Sequence, residues 1–222
     1  MRCIILCASH DDKPKSLTKI DDNLTALDLL IDQVSLIEEV DMTYVVTNGE
    51  SYNKFEDWFK KIDNDKVKLI NDNTTSPKAK LGAIGDMKYT INMENIEDEL
   101  LIIAGDAIYD FEFMEMYNMY KDKKAPIVAV KDIKDVLDLK KYGTISFDKS
   151  LKITDMHEKN NNAIGDHIAL ALYMFPKNII RILETYLQEG NLRTSPGYFI
   201  EYLYQILDVY AYEIKGNYFT LK

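Results

Sequence analysis

An α/β fold with a mixed, mostly parallel sheet flanked by helices is what three features of this sequence predict. Two apolar runs without polar interruption, within Arg2 to Ala8 (RCIILCA) and Leu100 to Ala104 (LLIIA), have the length and composition of strands buried on both faces. Between them, strand patterns alternate with amphipathic-helix patterns, the rhythm of parallel strands joined by crossover helices. Beyond Pro126 that rhythm gives way to short strands with tight turns between some of them, which predicts a partly antiparallel extension of the sheet.

Taken in order, the first strand ends in a polar loop, Ser9 to Lys15. Thr25-Ala26-Leu27-Asp28 reads as a capping box with Asp in place of the usual Glu or Gln, and Leu24, Leu27, Leu30, Ile31, Val34 and Ile37 recur at helical steps around it. Met42 to Thr47 is a second strand closed by Asn48-Gly49, and Tyr52, Phe55, Trp58 and Phe59 mark the apolar face of the next helix. Lys66 to Ile70 is a third strand, followed by a polar, turn-rich segment from Asn71 to Lys80. Leu81-Gly82-Ala83-Ile84-Gly85-Asp86 opens a helix that runs to about Met93. After the central strand, Phe111 to Tyr120 forms a helix whose stripe of Phe113, Met114, Met116, Tyr117 and Tyr120 reads as core packing. Ile127 to Val130, Gly143 to Phe147, Leu151 to Met156 and Ile168 to Phe175 read as strands, with Asp148-Lys149-Ser150 the clearest turn among them. A helix follows over Asn178 to Gln188, and Ser195-Pro196 introduces another as an N-cap with Pro at the first helical position. Val209 to Ile214 is the last strand expected.

The 222 residues, 46% of them hydrophobic, suit one globular domain spanning 1–222. Thirty-seven acidic against 27 basic side chains give a formal charge of -10, so the overall field repels polyanions and anionic membrane surfaces. Nucleic acid and membrane are therefore excluded as expected partners, while a local cluster of Lys can still receive a small phosphate-bearing ligand. Cys3 and Cys7, four residues apart on one strand face, are too distant for a disulfide and read as reduced core residues of a cytoplasmic protein. No apolar run approaches the ~18 residues of a membrane span, and a strand that begins at once after Met1 leaves no signal peptide expected.

The central strand stops at Gly105-Asp106. Ligands of open α/β sheets sit outside the carboxyl ends of the strands, so a carboxylate placed there points at the site, and Asp106 is the first candidate for a metal ligand or ligand anchor. The alternative is a turn or helix N-cap residue, because Gly-Asp is common turn chemistry.

Several ordered pieces then fall into a family pattern. They are Pro14-Lys15-Ser16-Leu17 after the first strand, Leu81-Gly82-Ala83-Ile84-Gly85-Asp86, Ala104-Gly105-Asp106, Tyr142-Gly143 and Glu158-Lys159. Pro196-Gly197-Tyr198-Phe199-Ile200 and Lys215-Gly216-Asn217-Tyr218-Phe219 complete them. In their joint order the chain resembles the sugar-phosphate nucleotidyltransferases of the glucose-1-phosphate thymidylyltransferase and uridylyltransferase kind, which join a sugar 1-phosphate to a nucleoside triphosphate and release pyrophosphate. The resemblance implies a Rossmann-like nucleotidyltransferase fold with a nucleotide-binding half (1–125) and a sugar-phosphate half (126–222). It implies Lys15 and Asp106 as catalytic residues. Asp106 would hold the Mg²⁺ that bridges the nucleotide phosphates, and the Lys15 ammonium would lie against the triphosphate. Gly82, Asp86, Gly143, Glu158 and Lys159 would be substrate-binding. Gly82 and Gly143 would let backbone approach base and sugar, Glu158 would accept hydrogen bonds from sugar hydroxyls, and Lys159 would hold the sugar phosphate. Without the resemblance, each Lys reads as a solvated charge and Glu158 as a partner of Lys159 or His157. Asn73-Thr74-Thr75-Ser76 is where base contacts are expected.

The chain also departs from the pattern. Family members carry a GxGxR-like loop after the first strand, whose backbone N–H groups wrap the triphosphate; here the loop is Ser9-His10-Asp11-Asp12. The second metal-binding aspartate of the closing turn is matched by Thr220. Three readings follow: the site is rebuilt, with Asp11 or Asp12 supplying a metal ligand; the chain is a structural subunit using only the surface of the fold; or it is a non-catalytic binder of nucleotide or sugar phosphate. Such a binder would act as a regulatory or structural partner, in a homo-oligomer or beside an active paralogue.

Overall fold

The structure is a computed structural model describing residues 1–11, 13–132, 134, 139–159 and 165–221. Strands β1 (Arg2–Leu6), β2 (Met42–Thr47), β3 (Val67–Asn71) and β4 (Leu100–Ala104) run parallel, with β1 between β2 and β4 and β3 at the outer edge. Their apolar runs are continuous because both faces are covered. Cys3, Ile5, Leu101 and Ile103 pack on one side, Ile4, Leu100 and Ile102 on the other. The first face lies under α1 (Ala26–Ser35), α2 (Tyr52–Phe59) and α4 (Phe113–Lys123), whose Leu27, Leu30, Phe55, Phe113 and Met116 fill that core. The second lies under α3 (Ala83–Met93), α5 (Ile179–Gln188) and α6 (Gly197–Leu203) through Ile84, Met87, Leu183 and Phe199.

The capping box expected at Thr25 is present. Asp28 N–H donates to Thr25 Oγ1 at 3.3 Å and Thr25 N–H to Asp28 Oδ2 at 2.7 Å. The remaining Asp28 oxygen accepts from Trp58 Nε1 at 2.8 Å, so the acid that starts α1 also fastens α2 to it.

Beyond β5 (Ala107–Asp110), the antiparallel extension is built from β6 (Ile127–Asp132), β7 (Gly143–Phe147), β8 (Ile153–Glu158) and β9 (His167–Phe175). β9 inserts between β4 and β6, antiparallel to both, while β7 pairs β9 and β8 to raise a wall beside the central strands. β10 (Tyr210–Glu213) closes that edge parallel to β6. Among the described residues, no helix is long and apolar enough to cross a membrane.

Two local expectations are corrected. β5 pairs antiparallel with β11 (Asn217–Thr220), and neither strand was expected. Each has only four residues, and what holds them is contact between distant segments, with the Tyr109 and Tyr218 rings 5.4 Å apart. At α6, Pro196 rather than Ser195 occupies the N-cap, and the Ser195 hydroxyl is directed elsewhere, to Glu158.

Candidate active site

A cleft of ≈ 770 Å³ opens where β1 and β4 end, between the α3 end of the parallel sheet and the wall formed by β7, β8 and β9. Lys15, Gly82, Asp86, Asp106, Gly143, Glu158 and Lys159, the positions singled out in the sequence, all line it. Asp106 lies in the turn joining β4 to β5, and its exposed side chain borders the cleft. Across the β5–β11 pairing Thr220 registers with Ala107 and lines the same space.

Lys15 starts a short 3-10 turn and its ammonium is held by Asp11, Nζ to Oδ2 at 3.1 Å. The carboxylate that the sequence suggested as a replacement metal ligand is thus paired with the lysine; Asp12 lies outside the described residues. Lys159, exposed and in a left-handed backbone conformation (φ 50°), reaches the cleft from the end of β8.

Glu158 is buried beside it, and the glycines explain how. A Cβ on Gly143 would stand 2.5 Å from Glu158 Oε2, and one on Gly197 would collide with the same carboxyl group. These glycines make room for Glu158 itself, a requirement that comes from the chain before any sugar arrives. Ser195 donates to Glu158 Oε1, and the Glu158 N–H donates to Glu201 Oε2 at 3.2 Å. Burial raises the Glu158 pKa, opposed by the Ser195 hydrogen bond and the Lys159 charge.

Gly82 is likewise demanded by the chain. It is the N-cap of α3 at φ 78°, and a side chain there would stand 2.6 Å from the Arg193 carbonyl oxygen, which accepts from Ile84 N–H at 3.1 Å. Asp86, one helical turn on, is only 5% exposed and turns its carboxyl to Asp72 at the end of β3. Burial, and then the Asp72 carboxylate, push the Asp86 carboxyl up to about 8, so Asp86 keeps its proton near neutrality. The Asp86 Oδ1 atom accordingly has no conventional donor in reach. Asp72 accepts from Thr74 N–H at 2.7 Å and from Thr74 Oγ1 at 2.8 Å.

Base contacts were expected from Asn73 to Ser76, but the part of that loop lining the cleft is Pro77 and Lys80. Thr74 is buried, and Asn73 donates to Tyr89. Sequence reasoning also passed over Lys80, Lys141, Tyr173 and Tyr218, all of which line the cleft. Lys80 and Lys141 stand immediately before Leu81-Gly82 and Tyr142-Gly143, and that adjacency was the available signal. Burial raises the Tyr218 pKa, followed by nearby Tyr142 and Asp106, so its hydroxyl stays protonated. Cys7 also borders the cleft, but burial pushes its thiol up to about 12, which rules it out as a nucleophile.

The electrostatic outcome runs against the whole-chain charge. Lys15, Lys80, Lys141 and Lys159 line the cleft, while two of its four carboxyl groups, Asp86 and Glu158, are buried and shifted toward the neutral form. A chain of formal charge -10 therefore keeps one cleft that can receive an anion.

Comparison with known proteins agrees with this architecture. A UDP-glucose pyrophosphorylase complexed with UDP-glucose superimposes with a TM-score of 0.78 at 16% identity, covering 98% of this chain and 92% of that one. A protein from Bacillus anthracis assigned as a glucose-1-phosphate thymidylyltransferase, in complex with a sucrose, gives 0.78 at 12% identity over 99% and 89%. HddC from Yersinia pseudotuberculosis gives 0.68 at 16% identity over 99% and 92%. The sequence pattern of the nucleotidyl transferase family matches residues 9–214. The resemblance drawn from the ordered motifs is borne out, and the chain belongs to the nucleotidyl transferase family.

Proposed function

We propose that the cleft binds a nucleoside triphosphate and a sugar 1-phosphate and transfers the nucleotidyl group, giving a nucleoside diphosphate sugar and pyrophosphate. The observation that carries this reading is the cleft's composition: four lysines and the exposed Asp106 around a space whose buried acids are driven toward neutrality. A sugar phosphate oxygen would attack the α-phosphorus as the bond to the β-phosphate breaks, and such transfer depends on positioning and charge compensation. Lys159 would hold the attacking phosphate, Glu158 would accept from sugar hydroxyls, and Lys15 would offset charge on the leaving phosphates. Residues 1–125 would carry the nucleotide and 126–222 the sugar phosphate.

Among the described residues no cluster of three His, Cys, Asp or Glu side chains is placed to hold a metal. Asp106 with the Thr220 hydroxyl therefore fits a cation that arrives on the phosphates, the usual manner for Mg²⁺, and not an all-protein cage. When bound, Mg²⁺ would neutralise phosphate oxygens. Pyrophosphate release from a panel of nucleoside triphosphates and sugar 1-phosphates tests the proposal: release with one pair is expected, and none with any pair would reject catalysis.

One observation favours a second reading. Asp11 already engages Lys15, so an incoming phosphate competes with a carboxylate for that ammonium. The chain would then bind nucleotide or sugar phosphate without turnover and act as a regulatory or structural partner, in a homo-oligomer or beside an active paralogue. Heat of nucleotide binding without pyrophosphate release would single out this reading.

A further inference from the structure

The loop after β1 lacks glycine, yet it is firmly tied. Cys7 N–H donates to the Val46 carbonyl at 2.8 Å, and Asn48 Nδ2 donates to the Ser9 carbonyl at 2.8 Å. His10 makes the third tie. Its side chain is only 4% exposed, with Nδ1 3.0 Å from Glu50 Oε2 and Nε2 3.0 Å from Thr74 Oγ1. The same Thr74 hydroxyl lies 2.8 Å from Asp72 Oδ1, so the tie from His10 runs on to the residue that follows β3. On the other side Nδ1 meets the Glu50 carboxylate. The ring is therefore held at both nitrogens, by Glu50 on one side and Thr74 on the other. Thr74 cannot turn away, because Asp72 also takes its N–H at 2.7 Å and is closed off behind by the Asp86 carboxyl. The residue next to His10 is Asp11, which grips Lys15.

We propose that His10 is a positioning residue: clamped between Glu50 and Thr74, it fixes the short loop and, through Asp11, holds Lys15 at the cleft face where a phosphate chain binds. The inference rests on the phosphate-binding reading of the cleft for its purpose, but not for its geometry. A side-chain clamp replaces the backbone wrap that a glycine-rich loop would supply, and it spans the ends of three strands in the sheet: β1, β2 and β3.

Two measurements on the full chain test it. Amide hydrogen exchange of the ligand-free protein should show the Cys7 and Gly49 amides, which donate to Val46 and Thr74 at the base of the loop, exchanging at least ~10-fold faster in His10→Ala than in wild type, with β1 unchanged. Titration with tripolyphosphate should show His10→Ala binding ~10-fold more weakly. A glutamine amide can span Glu50 and Thr74, so His10→Gln, alone or paired with Glu50→Gln, should recover affinity to within about threefold in at least one of the two variants. Unchanged loop exchange in His10→Ala overturns the proposal. So does a lowered Tm with unchanged tripolyphosphate affinity, or glutamine variants that both bind no better than His10→Ala. Wild type that binds no tripolyphosphate would reject the phosphate-binding reading, and with it the purpose assigned to His10, while the exchange result still decides whether His10 holds the loop.

Discussion

Replacing Asp86 by Asn removes a proton that folding captures, and the consequence can be worked from the structure. Asp86 is 5% exposed, and burial followed by the Asp72 carboxylate raises its pKa from 3.8 to about 8. The folded chain therefore holds this proton more tightly than the unfolded chain. Its stabilising contribution is complete below the unfolded value near 4 and is lost as pH rises through about 8. A displacement of roughly four pKa units at about 1.4 kcal/mol each amounts to on the order of 5 kcal/mol across the window. Asparagine is isosteric, keeps an N–H donor for Asp72 and cannot ionise. Urea unfolding of wild type and Asp86→Asn at pH 5, 6, 7 and 8 should show the difference in stability moving in favour of the variant by about 1.4 kcal/mol per pH unit, then levelling above pH 8. Titrating groups that do not touch Asp86 are common to both proteins and cancel. A difference independent of pH would refute the retention of a proton by Asp86, and with it the claim that this carboxyl group adds no full negative charge to the cleft.

Two further substitutions address the sugar side and the metal side. Gly143→Ala puts a methyl group against Glu158 Oε2, so sugar 1-phosphate binding should weaken by about 10-fold or more and stability should fall by about 1–3 kcal/mol. Calorimetric titration with nucleotide and sugar phosphate separately checks this, since nucleotide affinity should not change. Thr220→Asp places a second carboxylate at the cleft on the strand that pairs β5, and the Mg²⁺ concentration giving half-maximal nucleotide binding should fall by about 10-fold. An unchanged Mg²⁺ dependence would show that residue 220 does not face the cation.

What the sequence made legible follows a physical division. Leu100 to Ala104 can be read as a buried strand because both its faces are covered, and Asp106 can be read as cleft-facing because it stands directly after that strand. The Thr25–Asp28 capping box is local chemistry, four consecutive residues long, and needs nothing distant to declare itself. The features that escaped are those made by distant partners. Asp86 looks like an ordinary first-turn acid until Asp72, from the end of a different strand, is set against it. Gly143 looks like space for a ligand, yet it is space for Glu158, and Gly197 from α6 completes the same nest. His10 sits in what reads as a degraded loop; its partners Glu50 and Thr74 come from two other strand ends. β5 and β11 are too short to show a period, and each is a strand only because the other is there.

Calorimetric titration of the wild-type chain and Asp106→Asn with Mg²⁺ and each of UTP, dTTP and CTP tests most directly whether this cleft receives a metal-bearing nucleotide. Wild type should bind at least one of them with Mg²⁺ present, and Asp106→Asn should lose at least ~10-fold in affinity for it. No heat with any nucleotide, or an Asp106→Asn variant that binds as tightly as wild type, would contradict the account.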